Sequence, residues 1–136
     1  MGIRVGQRAT HVFVIDDASM RAFQAMSGDT SRVHTDSEFA RSRGYRGVIA
    51  YGAIMLAHLS HVLGMKLPGP GGVSTRWTVN YREPLYVGES AEISLEVTHT
   101  SKDLGIVESK FRINAQERVI ATGSTQTLVP PDEIDE

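Results

Sequence analysis

Residues 48–63, VIAYGAIMLAHLSHVL, lie in the most apolar part of the chain and decide its fold. Apolar side chains occur on nearly every side of a helix drawn through this stretch, which is the pattern of a helix buried in a core. His58, Ser60 and His61 interrupt it, and no second stretch of this kind exists, so a membrane span is the weaker interpretation. We therefore expect one long core helix around which the domain is built.

Downstream of this helix the sequence predicts only β-structure. Residues 67–72 are too rich in proline and glycine for the interior of a helix or strand. Strand-like composition or alternation of apolar and polar residues then predicts four strands, over 73–81, 91–98, 107–115 and 119–128. Such a series of strands favours an antiparallel sheet.

Upstream of the core helix we expect shorter elements. Residues 7–15 are strand-like, and Asp16 or Asp17 is a candidate N-cap for a short helix over 18–26. That helix has an apolar stripe, expected to face the core, which consists of Met20, Phe23 and Met26.

A polar, arginine-rich loop over 28–47 separates these elements from the core helix, with at most a short helix near 37–42. The whole order predicts the α+β class, in which one helix is wrapped by one curved antiparallel sheet. One helix cannot cover both faces of a curved sheet, and an open sheet of this size leaves its edge strands exposed. We therefore expect a homodimer or a dimer of dimers.

Length and composition bound the molecule further. The 136 residues suit one domain over 1–129, followed by an acidic tail over 130–136 that we expect to be flexible. There is no cysteine, which excludes disulfides and thiolate chemistry, and the net charge of −2 gives no pull toward nucleic acid or membranes. No secretory signal is evident at residues 1–7, so we expect a cytoplasmic protein.

The loop begins Ser-Gly-Asp-Thr-Ser-Arg-Val-His over 27–34. Asp29 and His34 place a carboxylate and an imidazole five positions apart in a non-helical segment, where both can reach one water molecule. Taken alone this pair is weak support for catalysis, because aspartate and histidine also occur together as caps and surface groups.

The surroundings of this pair resemble a known family. The motif Ser-Gly-Asp-x-x-x-x-His, Phe39 soon after it and a glycine at the start of the central helix look like the MaoC-like (R)-specific enoyl-CoA hydratases. The segment 81–89, YREPLYVGE, is also similar to a strand-proline-glycine-acid segment of that family. The resemblance runs over about 5–128 and implies the hot-dog fold.

The resemblance also implies roles for individual residues. Asp29 and His34 would hold and activate the water that adds to the double bond, and the backbone N–H of Gly52 would stabilise the thioester oxygen. The supporting residues that it implies are Ser60, Ser31 and Tyr51. The substrate would be an acyl-CoA or acyl-carrier thioester, and no metal or other cofactor is expected.

Two departures from the family pattern flank this site. Ser31-Arg32 stands where the family usually has Asn-Pro, and Tyr51 often corresponds to a histidine. Two other functions therefore stay open: a hot-dog acyl thioesterase, and a non-catalytic acyl-binding module. A thioesterase often carries its carboxylate on the central helix, whereas the inner positions of this helix, 53–57, are all apolar.

Overall fold

The computed structural model describes residues 2–135 as five strands and three α-helices. In chain order these are β1 (Arg8–Val14), α1 (Asp17–Ser27), α2 (Ser37–Ser42), α3 (Gly52–His61), β2 (Val73–Tyr81), β3 (Ser90–Ser101), β4 (Ile106–Ala115) and β5 (Arg118–Leu128). The strands predicted from apolar patterning are thus confirmed, with β2 at the predicted bounds. The α+β class is confirmed as well.

The five strands form one antiparallel sheet in the order β1-β3-β4-β5-β2. In β3 the buried residues Ala91, Ile93, Leu95 and Val97 alternate with more exposed polar ones, which gives the sheet an inner, apolar face. That face packs against Ile54, Met55 and Leu59 of α3 in one core. The sheet leaves two strands, β1 and β2, at its edges.

Helix α3 begins at Gly52, four residues later than the apolar pattern predicts. Residues 48–51 are extended instead, because their backbone groups find partners outside the helix: the N–H of Ile49 donates to Val33 O at 3.0 Å and that of Ala50 to Leu85 O at 2.7 Å. The helix is also not buried all round. One face of it is exposed in the single chain: Ala53, Ala57, Ser60 and His61.

Helix α1 corrects a second expectation. Asp16 is its N-cap, accepting from the N–H of Ser19 at 2.8 Å, and Met20 is buried as predicted. Phe23 is half-buried, but Met26 is 79% exposed, so the apolar stripe does not face the core along its whole length. Met26 lies in the last turn of α1 and is not part of the core.

The C-terminal segment contains one apolar residue that packs in the core. Ile134 is 2% exposed and forms a parallel bridge with Ile3, while the Lys102 ammonium donates to Ile134 O at 2.7 Å. The flexibility of the acidic tail stays a prediction.

Among residues 2–135 the structure contains no helix that is both long enough and apolar enough to cross a membrane.

Candidate active site

The chain leaves α1 through Gly28, whose φ of 73° closes the helix and turns the backbone toward Asp29. The Asp29 carboxylate accepts two hydrogen bonds from Ser31, one from the backbone N–H at 2.9 Å and one from the hydroxyl at 2.6 Å. These bonds to Ser31, with a smaller contribution from His34, hold the pKa of Asp29 below its usual value. The carboxylate is exposed and ionised at neutral pH.

His34 ends a single 3-10 turn formed by residues 32–34. Its Nδ1 lies 2.7 Å from the carbonyl oxygen of Ile49. Because a carbonyl can only accept, Nδ1 carries the proton of this contact, and in the neutral imidazole Nε2 is left as an acceptor. The ring is thus oriented by the extended segment that leads into α3.

Tyr51 connects the two halves of the predicted acid–base pair. Its ring stacks on His34 with 4.1 Å between centroids, and its hydroxyl donates to the backbone carbonyl of Asp29. The side chain is 2% exposed, and Phe23 packs on it at 4.5 Å. One buried phenol therefore holds the Asp29 loop and the His34 ring at the amino end of α3.

The amino end of α3 is free of side-chain caps. Tyr51 occupies the N-cap position without a capping bond, and no acceptor for the N–H of Gly52 lies among the described residues. Gly52 leaves room for a neighbouring ring, since a Cβ added to it would lie 2.6 Å from Cζ of Tyr81. An unpaired N–H at a helix start favours a negatively charged oxygen.

A cavity of about 320 Å³ opens at this helix end. Its lining includes His34, Ile49, Gly52, Met55, Tyr81 and Leu85. Asp29 and Tyr51 are not among its lining residues; Tyr51 stacks on His34, and its hydroxyl donates to the backbone carbonyl of Asp29. Arg82 borders the same cavity with an exposed side chain.

The segment between β2 and β3 forms one wall of the cavity and is held by an ion pair. The Arg118 guanidinium binds both carboxylate oxygens of Glu89, at 2.7 and 3.1 Å, and also donates to Pro84 O at 3.1 Å. These contacts with Arg118 keep the pKa of Glu89 below its usual value. This wall belongs to the proline-glycine-acid segment 81–89. Its Leu85 carbonyl accepts a hydrogen bond from the N–H of Ala50.

The structure brings together most of the residues predicted for the site. Asp29, Ser31, His34, Tyr51 and Gly52 all lie at the amino end of α3 or in contact with residues there. Ser60 does not: it lies two turns along α3 on its exposed face. No group of three or more His, Cys, Asp or Glu side chains in the described part of the chain is arranged to hold a metal ion.

Sequence reasoning missed Tyr81 as a site residue. In the sequence it is the last position of a predicted strand and the first residue of the segment 81–89, and nothing local indicates which helix residue it meets. The register of β2 on β5, in which Tyr81 pairs with Ala121, decides that it reaches Gly52.

A curved antiparallel sheet around one helix, with a cavity at the amino end of that helix, defines a protein of the hot-dog class. A solved structure described as the (R)-hydratase from A. caviae involved in PHA biosynthesis has the same fold. It superimposes with a TM-score of 0.88 at 29% identity, covering 94% of this chain and 98% of that one.

The sequence comparisons then give the family. The chain matches the MaoC like domain over residues 4–119 and belongs to that family. The (R)-specific enoyl-CoA hydratase of Aeromonas caviae is 30% identical over 129 residues, which cover 94% of this chain and 96% of that protein. The 3-hydroxybutyryl-CoA dehydratase of Methylorubrum extorquens is 28% identical over 119 residues, covering 88% and 76%. These relatives are hydro-lyases.

Proposed function

We propose that the protein is an (R)-specific enoyl thioester hydratase, which also runs in reverse as a 3-hydroxyacyl thioester dehydratase. One observation carries the proposal: a single buried residue, Tyr51, joins the Asp29 loop and the His34 ring beside the unpaired N–H of Gly52. A base, an acid and an oxyanion donor are the three groups that this reaction requires. The hydro-lyase relatives support the same reaction.

In the proposed reaction, water is held by Asp29 and His34 and loses a proton to one of them as its oxygen bonds to C3 of the substrate. The electrons of the double bond move onto the thioester oxygen, which accepts a hydrogen bond from the N–H of Gly52. The enolate then collapses and C2 takes up a proton from the same pair, so that water is added overall. A donor of this kind is typically worth about a hundredfold in rate.

Four further residues would support this reaction or the assembly around it. Ser31 lowers the pKa of Asp29, and Tyr51 orients both members of the pair. We propose that Ser60, exposed in the single chain, faces a second copy in a homodimer. Arg82, at the mouth of the cavity, is placed to meet the phosphates of coenzyme A or of a carrier arm.

The test is to mix the protein with crotonyl-CoA and to follow both the enoyl absorbance and the release of free thiol. Loss of absorbance without thiol is the expected result. Thiol release would instead indicate a thioesterase. No change in either the absorbance or the free thiol would indicate a binding module. Helix α3 contains no carboxylate, which is why we do not expect hydrolysis.

We predict that Asp29→Ala and His34→Ala each lower kcat by about 10²- to 10⁴-fold, because each removes a proton-transfer group. The matched controls are Asp103→Ala, in the turn after β3, and His99→Ala, in β3 itself. Both positions are exposed, and both variants should keep wild-type turnover. If either site variant kept wild-type turnover while folded, as judged by circular dichroism, the proposed mechanism would be wrong.

A further inference from the structure

Tyr81 is the last residue of the edge strand β2 and lies directly against the start of α3. An ideal Cβ on Gly52 would lie 2.6 Å from its Cζ and 2.7 Å from its hydroxyl oxygen. In a helix the Cα–Cβ bond tilts toward the amino end. The Tyr81 hydroxyl therefore lies beside the first residue of α3, whose N–H is free.

The hydroxyl and the Gly52 N–H are close enough to serve one oxygen atom. By standard bond geometry a Cβ lies about 2.5 Å from its own backbone nitrogen, so the phenol oxygen is at most roughly 5.2 Å from that nitrogen. Two donors at that separation can each approach a shared acceptor at about 2.9 Å. Both residues line the same cavity as His34.

The phenol is also available as a donor. It makes no hydrogen bond to another described residue, and burial raises its pKa above the usual value, so it stays protonated at neutral pH. The side chain is 51% exposed, which leaves the hydroxyl open to a ligand in the cavity. A neutral donor with no acceptor in the protein is suited to a charge that appears only during a reaction.

We propose that the Tyr81 hydroxyl is a second hydrogen-bond donor to the thioester oxygen, acting together with the N–H of Gly52. This role rests on the proposed hydratase function. As water adds to C3, negative charge collects on that oxygen, and Tyr81 stabilises it while keeping its own proton. Tyr81 is then a catalytic residue, because its oxygen contacts a reacting atom.

The competing explanation is that Tyr81 only fills space over Gly52. Tyr81→Phe separates the two, because it keeps the ring and removes the donor. We expect kcat with crotonyl-CoA to fall about ten- to a hundredfold, with a smaller change in KM. Thr98→Val is the control: it removes a hydroxyl at an exposed site of β3 that is absent from the cavity lining, and it should leave kcat unchanged.

A second measurement does not depend on turnover. Infrared difference spectra of bound butyryl-CoA, a saturated thioester that cannot be hydrated, report how strongly its carbonyl is polarised. The carbonyl stretch should lie at lower frequency on the wild-type protein than on Tyr81→Phe.

Each outcome bears on a different claim. An unchanged kcat in Tyr81→Phe, or an identical carbonyl stretch in the two proteins, would overturn this role while leaving the hydratase function standing. A wild-type protein without hydratase activity would overturn the function and the role of Tyr81 together.

Discussion

The pKa of Asp29 is lowered by a neighbour two residues along the chain. The Ser31 hydroxyl and N–H both donate to its carboxylate. We predict that Ser31→Ala raises the pKa of Asp29, because it removes the hydroxyl bond, the largest of the contacts that lower it. Carboxyl-carbon NMR titration measures the change directly.

The control for this prediction is Ser27→Ala. The Ser27 hydroxyl accepts from the backbone N–H of Asp29 at 3.1 Å and does not touch the carboxylate. The pKa should therefore stay low in Ser27→Ala. Equal pKa values in the wild type and Ser31→Ala would show that the hydroxyl does not hold the carboxylate in solution.

At the residue scale, the sequence reveals Asp29, His34 and Gly52 because each belongs to one short motif or to the start of the apolar helix. It could not reveal what Tyr51 does, since the same buried phenol could have lined the acyl pocket. The long-range contacts of Tyr51 with Asp29 and His34, 22 and 17 positions away in the chain, depend on tertiary packing.

At the scale of elements, strand β1 packs on α3 through histidines. His11 Nε2 lies 3.2 Å from His58 Nδ1, and the His58 ring stacks on Phe13 at 4.2 Å. The charged or titratable groups facing this pair are His61 and Lys66, both basic. Burial is the largest cause that lowers the pKa of both histidines from the ordinary 6.5. His61 and Lys66 lower that of His11 further, and His11 and His61 lower that of His58.

This contact predicts a pH dependence of stability. Unfolded histidines take up protons near pH 6.5, whereas the folded pair resists protonation, so acid favours the unfolded chain. The contribution of the pair to the free energy of unfolding is present above that pH and is lost as the pH falls below it. Thermal or urea unfolding between about pH 7.5 and 5.5 should show the decline.

His58→Leu should flatten the decline, since it removes one titrating member of the pair. His99→Leu, at an exposed position of β3, should not change it. A decline of the same slope in the wild type and His58→Leu would locate the acid sensitivity elsewhere.

The elements themselves are predicted well where apolar and polar residues alternate, because alternation reports directly which face of a strand is buried. The start of α3 is predicted less well, because residues 48–51 are as apolar as the helix. Their extended conformation depends on hydrogen bonds to Val33 and Leu85. Met26 is a similar case, since helical spacing shows which residues share a face but not which of them reach the core.

At the scale of the molecule, the single chain leaves an edge strand and an exposed helix face that suit a second copy. Strand β2 is an unpaired edge with Val73 65% exposed, and it lies beside α3, whose exposed face includes Ala53 and Ala57. Edge strands of this kind pair readily with another chain.

We predict that the protein is a homodimer and that Ala57→Glu converts it to a monomer, because it places a charge in the interface. Light scattering after size exclusion gives the mass. Thr98→Glu adds the same charge at an exposed site on β3 and should leave the dimer intact. A wild-type mass of one chain would refute the dimer.

The two ends of the described chain meet: the backbones of Ile3 and Ile134 run side by side, and Arg4 pairs with Asp135 at 3.3 Å. A few added residues could therefore join one end to the other without disturbing the sheet. New ends could then be opened in the turn between β4 and β5, where Gln116 has a φ of 54°. The fold is thus suited to circular permutation.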